Sequence, residues 1–136
     1  MYPEYLVSPM RQELVNAGFQ DLRTPEEVDQ AIKSQGTVLV MVNSVCGCAA
    51  ANARPAAKMS TSFLKHPDQF VTVFAGMEKE AVDKARAHML PFPPSSPSIA
   101  LFKDGKLVHM IERHQIEGRP AQMIADNLNQ AFDQYC

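Results

Sequence analysis

The chain predicts an α/β domain built on a central mixed sheet, and three observations carry that expectation. Residues 37–43 (TVLVMVN) and 70–75 (FVTVFA) are β-branched and apolar runs without polar alternation, the pattern of strands covered on both faces. Segments with helical spacing of apolar residues lie before and after each run. Farther on, Asp104-Gly105 separates residues 99–102 from residues 106–111 and reads as a hairpin turn, which adds an antiparallel pair.

The elements can be taken in order. Ser8-Pro9 puts a good cap before a proline suited to a first helical turn, Met10, Leu14 and Val15 form an apolar stripe, and Gly18 can end the helix. This is an amino-terminal helical extension to the sheet. Thr24-Pro25-Glu26-Glu27 is a capping box, followed by Val28, Ala31 and Ile32 at helical spacing and by Gly36 as a stop. After the first strand come Ser44-Val45-Cys46-Gly47-Cys48 and then ANARPAAKMSTSFLK, which reads as a helix bent where Pro55 removes a hydrogen bond. His66-Pro67-Asp68 breaks it, the second strand follows, and residues 78–88 make a plausible helix. The chain has then completed a βαβ unit. A proline-dense connection, LPFPPSSPS, leads to the hairpin, and Gly118 and Pro120 precede a final helix carrying Met123, Ile124, Leu128 and Phe132.

Composition narrows the functional classes. The 136 residues are one domain's worth of chain, read as a single domain over 1–136, and 46% apolar with 21% charged residues is ordinary globular usage. Thirteen Lys and Arg against fifteen Asp and Glu give a net charge of −2 with no basic run, which argues against nucleic acid as a partner. The longest apolar stretch, residues 38–42, falls far short of the roughly 20 residues that cross a bilayer, so no membrane association is expected. The start MYPEYLVSPMRQ lacks a basic segment followed by an apolar one and does not read as an export signal. Three cysteines without such a signal point to chemistry rather than to a disulfide scaffold.

Cys46 and Cys48 fall in the loop that leaves the carboxyl end of the central strand and enters a helix, where α/β proteins place their sites. The helix amino end stabilises an anion there by roughly 0.3–1 kcal/mol, and more when partly buried, so at least one thiol should have a lowered pKa. About 100° per residue turns two helical side chains at this spacing to nearly opposite sides. Cys46 is therefore expected before the helix, with Gly47 supplying backbone freedom. Cys46 is then the accessible thiol that attacks and Cys48 the more shielded one that resolves. A disulfide between them closes a small ring away from the relaxed Cα separation of about 5.5–6 Å, and strained disulfides are easily reduced. The pair reads as an exchanger.

Two other readings of the pair stay open at this point. Both residues could be small core side chains, or they could join two of His66, His88, His109 and His114 around a metal. No histidine is assigned a role, and Cys136, the last residue, reads as a spare exposed thiol. Arg54 and Lys58 lie one turn apart after the cysteines, either as a solvated face or as cationic support for a thiolate or an acidic substrate.

The order strand, Cys-Gly-Cys, helix, strand, helix, proline turn, hairpin, helix resembles a thioredoxin fold with Cys-Gly-Cys in place of Cys-x-x-Cys. In that resemblance Pro97 falls where such proteins hold a cis-proline opposite the cysteines. More specifically, MYPEYLVSPMRQEL, VNSVCGCAAANARPAA and IERHQIEGRPAQMI are similar to the bacilliredoxin family across nearly the whole chain. The resemblance implies a cytoplasmic bacterial redox protein that removes bacillithiol from mixed disulfides on oxidised proteins. Cys46 would take the bacillithiol, and Cys48 or a second bacillithiol would resolve the product. It also implies no bound cofactor, with bacillithiol as thiol co-substrate. The partners would be bacillithiolated clients, bacillithiol and, as a candidate reductant, a flavin-dependent bacillithiol disulfide reductase. Because bacillithiol carries malate carboxylates, Arg54, Lys58 and the helix amino end are its recognition candidates. The alternatives are a disulfide isomerase or oxidase of the same fold, and a non-enzymatic metal or iron-sulfur carrier using Cys46 and Cys48, with or without Cys136.

Overall fold

All seven residues of the strand Thr37–Asn43 are buried, as its unbroken apolar run requires, and in the computed structural model of residues 1–136 this strand organises everything else. Numbered along the chain, the strands are β1 (Gln20–Asp21), β2 (Thr37–Asn43), β3 (Gln69–Phe74), β4 (Ser98–Lys103) and β5 (Lys106–Ile111). The helices are α1 (Glu4–Ala17), α2 (Pro25–Lys33), α3 (Arg54–Ser60), α4 (Lys79–His88) and α5 (Ala121–Tyr135). The sheet order is β1-β3-β2-β4-β5. β3 pairs in parallel with β1 and β2, whereas β4 runs antiparallel to β2 and to β5, so the sheet is mixed.

The two-residue alternation of β2 divides the core. Leu39 and Met41 join Leu14 of α1, Ala56 and Ala57 of α3 and Leu128 and Phe132 of α5 on one face. Val38, Val40 and Val42 join Val28 and Ile32 of α2 and Ala81 and Val82 of α4 on the other. Each such large side chain contributes about 1.5–3 kcal/mol on burial. Truncation of Leu39 to Ala, at the middle of the larger cluster, would cost about 2–5 kcal/mol. No helix is long and apolar enough to cross a membrane.

Local chemistry explains most boundaries. The Thr24 hydroxyl accepts from the Glu27 N–H and the Glu27 carboxylate accepts from the Thr24 N–H, the reciprocal cap expected for α2. Asp104 and Gly105 both take positive φ in the β4–β5 turn. Three expectations are corrected. α1 begins at Glu4 rather than at Ser8, with Pro9 inside it and Val15 exposed. Tertiary bonds hold this helix: the buried Arg11 guanidinium reaches Glu4, Asp21 and Glu78 and lies over the Phe74 ring, which outweighs one missing N–H. The short strand β1 has no legible pattern, since two residues cannot display one. The helix after the cysteines does not simply bend at Pro55. Residues Ala49–Ala53 form a π turn in which the Arg54 N–H donates to the Ala49 carbonyl, and this wider turn relieves the clash between the proline ring and the carbonyl four residues back. α3 then ends at Ser60, short of the expected Lys65.

Candidate active site

The strand-to-helix turn places the two cysteines as their spacing requires. Cys46 lies just outside the helix, its carbonyl accepting from the N–H groups of Ala49 and Ala50 at 3.1 and 3.2 Å, while Gly47 and Cys48 are already helical. The sulfurs are 2.6 Å apart and both cysteines are free thiols. Both side chains are half-buried rather than one open and one shielded; Cys48 packs against the cluster around Leu39, and Cys46 opens into a cleft of about 200 Å³. The expected contribution of Gly47 is also corrected. It does not take a positive φ, and a Cβ built on it would meet nothing within 4 Å.

The electrostatics separate the two thiols. Burial pushes Cys46 up, but hydrogen bonds from Cys48, the Ser44 hydroxyl and the Ala49 N–H, together with the charge of Arg113, bring it below the ordinary thiol value. Cys48 is held above that value by burial, by its hydrogen bond to Cys46 and by the Cys46 charge. The arrangement favours one anion, on Cys46, with Cys48 as a proton donor to it.

Ser44 carries no signal in the sequence, yet its hydroxyl donates to the Cys46 sulfur at 3.3 Å. The loop that holds it is itself fixed. Arg54 Nη1 donates to the Ser44 carbonyl at 2.9 Å and to Asn43 Oδ1 at 3.0 Å, and the Ser44 N–H donates to that same Oδ1. Arg54 Nε and Lys58 Nζ both end on Glu13 of α1. Arg54 is 3% exposed, so it is neither a solvated residue nor a cation facing the thiols. The π turn advances the helix by one residue and sets Arg54 inward, where it supports the cysteine loop from behind. Lys58 shares the Glu13 carboxylate and is likewise drawn away from the sulfurs.

The cation that does act on the thiols is Arg113, in the single turn Arg113–Gln115 after β5. Its Nη1 donates to the Ser96 carbonyl at 2.9 Å and its Nε to Glu117 at 3.3 Å. Ser96 precedes Pro97, and the bond between them is cis. Pro97 is buried, while Ser96, Arg113 and Cys46 line one cleft, so the proline turn stands across from the cysteines. The Leu90–Pro91 bond is also cis, with no mark of it in the sequence.

The remaining candidates are scattered. His66 pairs with the Pro67 carbonyl, His88 with Asp29, His109 with Asn127 and His114 with Glu112. No group of three or more His, Cys, Asp or Glu side chains is placed to hold a metal ion. Cys136 lies by Thr37, the other end of β2 from the turn, which removes the three-cysteine set invoked for an iron-sulfur carrier.

The chain is similar to known proteins over nearly its whole length. A family model described as disulphide isomerase matches residues 2–136. The chain is 58% identical to a bacilliredoxin of Cytophaga hutchinsonii over 98% of this chain and 99% of that one. It is 54% identical to a bacilliredoxin of Halalkalibacterium halodurans over 96% and 90% of the two chains. Among solved structures, a mutant thioredoxin from Halobacterium salinarum superposes with a TM-score of 0.61 at 18% identity, covering 88% of this chain and 91% of that one. Thioredoxin from Trypanosoma brucei brucei gives 0.60 at 18% identity, covering 86% and 93%. The fold is therefore thioredoxin-like, with α1 as the amino-terminal helix.

Proposed function

The chain belongs to the bacilliredoxin family, thiol oxidoreductases in type, and from that premise we propose that it removes bacillithiol from S-bacillithiolated proteins by exchange at Cys46-Gly47-Cys48. The Cys46 thiolate attacks the bacillithiol sulfur of a client mixed disulfide. A Cys46–bacillithiol disulfide forms, the client–bacillithiol bond breaks, and the client leaves as thiolate and takes up a proton. Cys48 then attacks Cys46, expels bacillithiol as thiolate and closes the Cys46–Cys48 disulfide. The client has gained two electrons that the protein dithiol has lost. Two further bacillithiol molecules return the dithiol and depart as bacillithiol disulfide, substrate for a flavin-dependent reductase. The proposed setting is the bacterial cytoplasm.

The observation that carries this reading is the asymmetry of the pair, one thiol held low by its neighbours and the other held high by the first. The same asymmetry times the second step. Once Cys46 is bound in a disulfide its charge is gone, one of the causes that raised Cys48 disappears, and Arg113 remains to favour a Cys48 thiolate. The resolving thiol is activated by completion of the attack.

Trapping tests the division of roles. Incubated with a bacillithiolated peptide, Cys48→Ser should accumulate a Cys46–bacillithiol adduct visible by intact mass, whereas Cys46→Ser should form none. Equal trapping by both variants overturns the assignment. A second reading, disulfide isomerisation, is favoured by the description of the matching family model. A measured reduction potential near that of thioredoxin, about −270 mV, counts against it.

A further inference from the structure

We propose that the cleft beside Cys46 is the subsite for the carboxylate of the low-molecular-weight thiol, with Arg113 as its recognition residue and Tyr2 as its wall. This rests on the exchange reading above and moves carboxylate recognition away from Arg54 and Lys58, whose side chains are held on Glu13.

Three observations carry the assignment. First, Tyr2, Ser44, Cys46, Gly76, Ser96 and Arg113 line one cleft of about 200 Å³, so a group joined through sulfur to Cys46 has this space next to it. Second, Arg113 is anchored but not consumed. Nη1 is fixed on the Ser96 carbonyl and Nε faces Glu117, an exposed pair of low strength, which leaves Nη2 for a ligand and the guanidinium plane pre-oriented for a carboxylate. Third, Tyr2 is seated rather than loose. Gly76 takes a φ of +90°, and a Cβ there would come within 2.7 Å of the Tyr2 ring; the glycine makes room for the ring to lie against it. A half-exposed aromatic at the edge of a cleft beside a cation and a nucleophile can cover the body of a small ligand while Arg113 holds its acidic end.

Arg113 therefore has two separable effects, on the thiolate and on the ligand, and the test reads them apart. One client peptide is prepared as three mixed disulfides, with bacillithiol, with mercaptosuccinate and with 2-mercaptoethanol, and kcat/KM is measured for the wild type, Arg113→Gln, Arg113→Lys and Glu117→Gln. The wild type should favour both carboxylate-bearing disulfides over the hydroxyethyl one. Arg113→Gln should lose about tenfold on those two, the size expected for a lost charged hydrogen bond, mainly in KM, with a smaller loss on the hydroxyethyl disulfide. Arg113→Lys should recover part of the preference. Glu117→Gln, at an exposed position, should increase the preference by relieving competition for Nε. Equal losses on all three disulfides in Arg113→Gln, or a wild type indifferent to carboxylates, overturn the subsite. A wild type that favours mercaptosuccinate but does not exchange with bacillithiol overturns the bacillithiol reading and leaves the carboxylate subsite standing.

Discussion

The two ends of β2, about 20 Å apart at the rise of an extended strand, each lie near a cysteine, and the chain treats the two thiols oppositely. At the carboxyl end, Cys46 sits below the ordinary thiol value although burial opposes this. At the amino end, Cys136 is an exposed residue whose sulfur turns toward Thr37. It is raised by burial of that sulfur and by the charge of Asp68, which outweigh the Thr37 hydrogen bond and the lysines nearby. Both sulfurs are partly desolvated. The difference is the rest of the surroundings: the Ser44 hydroxyl, an amide N–H, a second thiol and an arginine at one end, a carboxylate that offsets two lysines at the other. The opposite shifts of the two thiols follow from the sign and number of the charges and hydrogen bonds around each, not from exposure.

The largest expected effect breaks the comparison outright. Cys46→Ser should reduce exchange with a mixed disulfide by at least about a thousandfold, since no other residue in the turn supplies a low-pKa sulfur, whereas Cys136→Ser should leave the rate unchanged. In the wild type, iodoacetamide should label Cys46 at a pH below the roughly 8.5 of a free thiol, and Cys136 only above it; peptide mapping over a pH series reads this directly. Labelling of both at the same pH would erase the distinction.

Next in size is the support behind the turn. Arg54→Ala leaves the buried Asn43 amide oxygen without its guanidinium partner, and a broken buried polar network costs about 3 kcal/mol. The midpoint of urea unfolding should fall accordingly, with Cys46 labelling slowed in the folded protein. Ser44→Ala removes one neutral hydrogen bond, worth about 1 kcal/mol. It should shift the Cys46 labelling profile to higher pH by under about one unit without moving the unfolding midpoint comparably. A drop in stability as large as that of Arg54→Ala would mean that Ser44 holds the loop rather than the sulfur.

The smallest effect concerns acid. Burial would raise the Glu13 carboxyl, but the hydrogen bonds and charges of Lys58 and Arg54 hold it below its ordinary value. Its contribution is therefore complete above the unfolded pKa, about 4.3, and is lost as pH falls through the lower folded value. Glu13→Gln should flatten this part of the stability profile between neutral pH and roughly pH 3, measured by urea unfolding. An unchanged slope would remove Glu13 from the account.

What is legible in the sequence is what neighbours along the chain decide. The capping box at Thr24, the hairpin at Asp104, the unbroken strand β2 and the placement of Cys46 outside its helix depend on residues within a few positions of one another. What is not legible depends on distant partners. Arg54 reads as a surface or ligand cation because its partner Glu13 is 41 positions away. Arg113 lies in the segment ERHQIEGR, which shows no chemistry until the fold brings it to the Ser96 carbonyl and the sulfurs. Gly47 suggests a freedom it does not use, because ordinary helical φ and open space above it leave no mark in the sequence. The start of α1 reads too late because Pro9 is a strong local signal, and the Arg11 ion cluster that overrides it is assembled from three separate segments.

The position of Tyr2 has a practical corollary. An affinity tag fused ahead of Met1 would emerge beside the mouth of the reactive cleft and compete with any bulky substrate for it. A purification handle or fluorophore attached after Cys136 would sit at the far pole, by Thr37, so measured rates should depend on which terminus is labelled.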